Sequence, residues 1–277
     1  MRPRLLLIPA VVPVIAVLGI TAVLGAAQSL GLMPVAGEPH LGLQAYRSVV
    51  ESGDLWPAIA VSIAVALAAT SIALVIGLTT ALAVRASRVG GRILAAIAAS
   101  TIPIPHIVGA AAIGLLVADT GWLPRLLGLD SSSWPALVAG PWWGAVILEY
   151  AWKESAFVAL VVLSSLAACT SELMDTAAVL GAGRLARVRH ILLPLATPGL
   201  ITAGAISFIY ALGSFEVPWL LGRSYPEPLP VLAYRLFTST DLTARPQALA
   251  VAVVTVGISV IVGMAALALL RRRAVLA

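Results

Sequence analysis

Charge is scarce in this sequence, and the few charged residues inside its apolar runs are the ones that could do chemistry. Lys153 is the only lysine among 277 residues and follows Glu149 by four positions, with Glu154 next to it in the stretch Ala151-Trp152-Lys153-Glu154-Ser155-Ala156. On a helix, Glu followed by Lys at i, i+4 is the order that favours an ion pair. In a bilayer each unpaired charge near mid-depth would cost about 2.5–3.5 kcal/mol on insertion scales, so these groups are expected to face a bundle interior or a wet cavity. Two readings of Glu149 and Lys153 stay open: a structural staple between helices, or part of a translocation path. Glu154 and Glu216 have no local partner and are candidates for a path, although Glu216 lies near the end of its run and can be solvated.

Bond-making chemistry finds little support. Lys153 does not sit in a GxxxxGK[ST] loop, so no phosphate-cradling P-loop can be built from this chain. If ATP drives the protein, the nucleotide binds a partner. Ser207 lacks the GxSxG setting of a nucleophile elbow, which leaves an intramembrane serine protease as a remote alternative. His106 stands beside Pro103 and Pro105, where missing amide donors free carbonyls that its ring could bond, a commoner role than metal ligation. Cys169 is the single cysteine and excludes an internal disulfide or a CxxC site.

The elements that must hold these groups follow from composition. With 61% hydrophobic and 10% charged residues, and a mean hydropathy of +1.05, the chain has more apolar surface than one soluble core can hide, so its solvent is lipid. The apolar runs are continuous, not alternating, which selects helices over a β-barrel. The net charge of +5 does not indicate nucleic acid, because no basic stripe with interleaved aromatics exists.

Runs long enough to span fall at about 5–27, 57–84, 93–118, 137–168, 195–221 and 247–270, each at or above the roughly 20 residues a bilayer requires. The first is too long for the apolar region of a signal peptide and is read as a helix. One set of connections holds 11 of the 16 arginines, among them Arg2, Arg4, Arg85, Arg88, Arg92, Arg184, Arg187 and Arg189. That bias places this set and both termini in the cytoplasm. By this topology His40 and His190 lie on opposite sides of the membrane. The outer connections carry Trp122, Trp134 and Trp219 at depths suited to an aromatic belt, and are too short to capture a solute unaided.

One connection is unlike the others. Within 169–194, Leu173, Ala177 and Leu180 recur at helical spacing, Ser171 can cap the first turn, and Gly181 and Gly183 interrupt it. A second short amphipathic segment follows, with Leu185, Val188 and Leu192 on one side, Arg184, Arg187 and Arg189 largely on the other, and Pro194 as its expected end. Two short helices about a glycine make a cytoplasmic knob that another protein could hold.

This segment resembles the signature of permease subunits of binding-protein-dependent ABC importers. Asp175-Thr176-Ala177 stands where that family has Glu-Ala-Ala, Gly181 follows at the family's distance, and Leu193-Pro194 closes the pattern. Asp replaces the usual Glu and Thr the first Ala. Thr101-Ile102-Pro103-Ile104-Pro105 and the stretch from Gly213 to Gly222 are similar to the branch handling polyamines, ferric iron and thiamine.

The resemblance implies an all-α polytopic bundle of the type I importer fold, a single permease domain over 1–277 with a coupling loop at 169–194. The implied contacts with the ATPase run through Glu172, Asp175, Thr176, Ala177, Gly181, Ala182, Arg184, Arg187 and Pro194. Implied partners are ATP-binding-cassette ATPase subunits, a second permease, identical or paralogous, an extracytoplasmic solute-binding protein and the bilayer of a bacterial inner membrane. No cofactor is expected on the chain itself, and the solute would be a polyamine or another small, cationic compound. An ion-coupled secondary transporter, with Glu149, Lys153 and Glu154 as a relay, is the alternative of a different class.

Overall fold

The computed structural model of the chain describes residues 8–33, 38–167 and 170–276, and all its regular structure is helical. Arg2, Arg4 and Cys169 lie outside the described residues, as do the side chains of Arg88 and Ser171. In chain order the helices are α1 (Ile8–Ser29), α2 (Gln44–Glu51), α3 (Leu55–Ala86), α4 (Arg88–Thr101), α5 (His106–Val117), α6 (Trp122–Leu126) and α7 (Gly144–Ser165). The chain continues through α8 (Thr170–Val179), α9 (Arg184–Arg187), α10 (Leu193–Gly213), α11 (Glu216–Leu221), α12 (Leu229–Phe237) and α13 (Arg245–Leu276).

Contacts group these residues into two compact units. One takes in the described residues up to Val61 together with Pro226–Ile258. Its core is Val49, Leu55, Ala58, Leu229, Leu232 and Val251. Near this core Arg235 is held between Asp54, at 2.8 Å, and Glu227. Burial disfavours the Arg235 cation, but its hydrogen bond to Asp54 and the charge of Glu227 outweigh it and raise its pKa.

The second unit, Ser62–Tyr225 with Ser259–Ala277, is organised about α7, which packs against α4, α5, α10 and α11. Its core joins Ala73 and Ala81 of α3, Val158 and Val162 of α7, and Ala196 and Ala203 of α10. Alanines at the crossings let backbones approach closely, which is how helices associate in lipid where apolar burial alone supplies no drive.

Five helical stretches among the described residues are long and apolar enough to cross a membrane: Val11–Ser29, Leu55–Ala86, His106–Leu126, Arg184–Gly213 and Leu242–Arg273. The six expected runs therefore need correction in three places. The run at 93–118 is broken at 102–105, so the third crossing is His106–Leu126 and α4 stands before it as a shorter helix. The run at 137–168 becomes helical only at Gly144, and its 22 residues carry Glu149, Lys153 and Glu154, which separate α7 from the apolar five.

The third place is the run at 195–221, which changes at both ends, because Pro194 does not end a short helix before it. Helix α9 passes through a π-helical turn, Val188–Leu192, directly into α10, with Pro194 at the start of that helix. A proline ring clashes with the carbonyl four residues earlier and has no amide to bond it. The wider π turn gives the ring room without stopping the helix. The run expected to reach 221 stops at Gly213, and α11 begins afresh at Glu216.

Candidate functional site

The break between α4 and α5 sets the geometry of the polar site. Pro105 has no N–H to offer the Thr101 carbonyl, so the last turn of α4 is left short of a donor. Ile104 N donates to Thr101 O at 3.3 Å, a partial substitute. The Lys153 ammonium completes it, donating to Thr101 O and Ile104 O at 2.5 Å each, with Ile102 O at 3.5 Å. A cation at a helix C-terminus is favoured by the helix dipole, and each hydrogen bond from a charged donor contributes about 1.5–3 kcal/mol.

Glu149, one turn earlier on α7, addresses the other side of the break. Its Oε1 accepts from His106 Nδ1 at 3.1 Å, at the first residue of α5. A Cβ on Gly109 would stand 3.0 Å from Glu149 Oε1, so the first turn of α5 admits the carboxylate because residue 109 has no side chain. An anion is favoured at this helix end.

The expected ion pair between Glu149 and Lys153 is therefore not formed. The carbonyls freed by the prolines and the His106 ring are better placed partners for two groups that leave α7 one turn apart. The expected bond from His106 to a freed carbonyl is also replaced, because Lys153 occupies those carbonyls.

His106 Nε2 lies 3.7 Å from Glu154 Oε1, and Ser207 of α10 donates to Glu154 Oε2 at 2.5 Å. Glu154 is thus partnered, contrary to the sequence reading. The ring stands between two carboxylates, one at each nitrogen, with a hydrogen bond at Nδ1 and a longer approach at Nε2.

Glu149, Lys153 and Glu154 are 0%, 5% and 8% exposed, so the cluster is screened from bulk solvent and its charges need partners. Tyr210 covers the ring at 4.6 Å between centroids, and Tyr150 meets Tyr210 edge to face at 6.2 Å. Tyr210 is the open side of the cluster, at 38% exposure. Glu216 is not gathered in: it is exposed in the first turn of α11.

The second candidate region is the 170–194 segment. Helix α8 ends in a Schellman motif: Ala182 N donates to Ala177 O at 2.9 Å, Gly181 N to Ala178 O at 3.0 Å, and Gly181 takes φ +82°. Only glycine adopts that φ without strain. Thr176 bonds back to Glu172 O, and Glu172, Asp175, Thr176 and Arg184 are exposed.

Arg187 departs from the expected polar side. Its Nη1 reaches the Met174 carbonyl at 3.5 Å and its Nε is buried, so it ties α9 to α8. The apolar residues at the turn point outward instead: Val179, Leu180 and Leu185 are 89%, 81% and 81% exposed.

Sequence reasoning missed Ser207, Tyr150 and Tyr210 as members of the cluster. The signal available for the site was the pair of prolines beside a lone intramembrane lysine, since each proline leaves an acceptor that some donor must satisfy.

The profile of the family described as "Binding-protein-dependent transport system inner membrane component" matches residues 73–275. The trehalose/maltose transport system permease protein MalF of Thermococcus litoralis is 26% identical over 212 residues, 74% of this chain and 72% of that protein. The trehalose transport system permease protein SugA of Mycobacterium tuberculosis is 27% identical over 199 residues, covering 70% of this chain and 64% of the mycobacterial one. In fold, a chain from the crystal structure of a bacterial alginate ABC transporter, in complex with an alginate pentasaccharide-bound periplasmic protein, superposes with a TM-score of 0.75. That superposition covers 97% of this chain and 93% of the other, at 18% identity.

Proposed function

Because the chain belongs to the family of binding-protein-dependent transport system inner membrane components, we propose that it is a path-forming permease subunit of an ATP-driven importer and couples to an ATPase through residues 169–194. The single observation that carries the coupling role is the glycine turn at Gly181, which exposes Val179 and Leu180 just before the apolar span that opens at Arg184. Apolar side chains this exposed mark a surface that another protein covers. Asp175 and Arg184 beside them supply charge for orientation.

In this reading α7 makes the sixth crossing, its three charges turned into protein, and both termini are cytoplasmic in a bacterial inner membrane. ATP binds the partner ATPases, and a second permease and an extracytoplasmic binding protein complete the importer. Helix α10 continues from the coupling segment and carries Ser207, about 30 Å from Arg187 at 1.5 Å per residue. A push on the segment therefore reaches Glu154 and the broken helix through one rod.

The solute reading shifts from the polyamine branch toward a sugar. Two relatives are described as carriers of trehalose or maltose. In addition, Glu154 is engaged by Ser207 and His106, so it is not free to receive a cation. A half-exposed Tyr210 beside hydrogen-bonding groups suits a hydroxyl-rich ring.

The test is co-expression with candidate ATP-binding-cassette ATPases of the same genome and affinity purification through a tag on the permease. Stoichiometric recovery supports the reading. Full insertion with no ATPase recovered would favour an ion-coupled carrier, for which the buried cluster would be the relay.

A further inference from the structure

We propose that Lys153 is a positioning residue that fixes the α4–α5 break, supplying Thr101 O with the donor that Pro105 lacks. Three observations converge. The ammonium is 5% exposed and its hydrogen bonds go to Thr101, Ile102 and Ile104, all within the break. Glu149, the carboxylate at i−4 that helical spacing offers, is engaged by His106 instead. The third is that Glu149 and Lys153 stand one turn apart on α7, so a single rigid helix presents a cation to the end of α4 and an anion to the start of α5.

A proline break by itself is a loose joint, because its freed carbonyls have no fixed partner. Lys153 supplies one from a neighbouring helix. The angle of the break, and with it the seat of His106 beneath Tyr210, is then set by α7 and not by the local chain. The clamp is a property of the fold; its value to transport rests on the permease reading above, in which a change at the break changes the path.

Pulsed electron-spin distance measurement on the full chain in nanodiscs tests this without nucleotide, solute or partner. Spin labels replace Ile93 and Leu115, which are 58% and 77% exposed, in a Cys169→Ser background. Over these 22 residues a straight helix would separate the two Cα positions by about 33 Å.

The parent and Lys153→Arg should give one narrow distribution at the same distance, and Lys153→Met a broad one. In the double variant Lys153→Met/Pro105→Ala the new amide supplies Thr101 with a donor. That variant should be narrow again but displaced toward the straight-helix value, and it reports even if Lys153→Met alone accumulates poorly.

A Lys153→Met distribution matching the parent, or a double variant narrow at the parental distance, would overturn the proposal. Either result leaves the transport reading standing. Failure of the ATPase to co-purify would weigh on transport and not on the clamp.

Discussion

Lys153 and Glu149 leave the same helix one turn apart and do not pair with each other: the lysine binds carbonyls at the end of α4, and the glutamate binds His106 at the start of α5. This division of labour makes the two charges non-equivalent. Neutralising Glu149 as Gln keeps a hydrogen-bond acceptor for His106 but removes one of the cluster's two carboxylate charges. Removing one partner from a buried charge set typically costs about 3–5 kcal/mol, and a loss near the lower end is expected for Glu149→Gln because the amide still bonds. The thermal midpoint of the detergent-solubilised protein reads this, and an unchanged midpoint would show that the cluster carries no net charge interaction.

Ser207 and Glu154 should couple energetically. Hydrogen bonds between membrane helices contribute on average about 0.6 kcal/mol and up to about 1.7. The short Ser207 to Glu154 bond, with no exposure at Ser207, belongs near the upper value. A double-mutant cycle of Ser207→Ala and Glu154→Leu, followed by unfolding in mixed detergents, should give an interaction term of about 1.5 kcal/mol. Strict additivity would dissolve the link between α7 and α10.

Glu216 is expected to behave differently from Glu154. It is exposed and outside the cluster, so Glu216→Gln should change stability by less than about 0.5 kcal/mol. If the solute is a neutral sugar, uptake of radiolabelled trehalose by cells should also survive this change. Strong uptake of a labelled polyamine, lost in Glu216→Gln, would restore the cationic reading.

At Gly181 a β-branched residue would have to adopt φ +82°, at a cost of roughly 1–2 kcal/mol confined to the turn. Gly181→Val and Asp175→Arg should both insert in the membrane at parental levels and lose ATPase recovery and binding-protein-stimulated hydrolysis. Two variants that hydrolyse ATP like the parent would remove the 169–194 segment from the coupling role.

The topology is open to a thiol-labelling test in a Cys169→Ser background. Cysteine at the exposed Arg184 should resist a membrane-impermeant reagent added to intact cells, and cysteine at Asp241 should react. The reverse pattern would invert the orientation drawn from the arginine bias.

Some of this molecule was decided by its sequence alone. Continuous apolar runs and scarce charge admit helices in lipid, since water-free surroundings require every backbone group to be bonded within its own segment. The break near Pro103 and Pro105 follows from two missing amides, and the turn at Gly181 from a residue free to take positive φ. Both are local, and both stand in the structure where the residues put them.

Partner choice was not local. Lys153 had an acceptable carboxylate at i−4, and spacing alone favours that pair. Tertiary packing brought unsatisfied carbonyls of α4 to one side of α7 and an imidazole to the other. In a low-dielectric interior neither a charge nor a carbonyl can stay unbonded, and this arrangement gives both charges and the carbonyls of the break a partner. The fate of Pro194 was settled the same way. A proline predicts a helix end from the chain outward, but a π turn of five residues absorbed it and let one continuous helix join the coupling segment to Ser207. Sequence fixes which groups need partners; only the fold decides which partners are within reach.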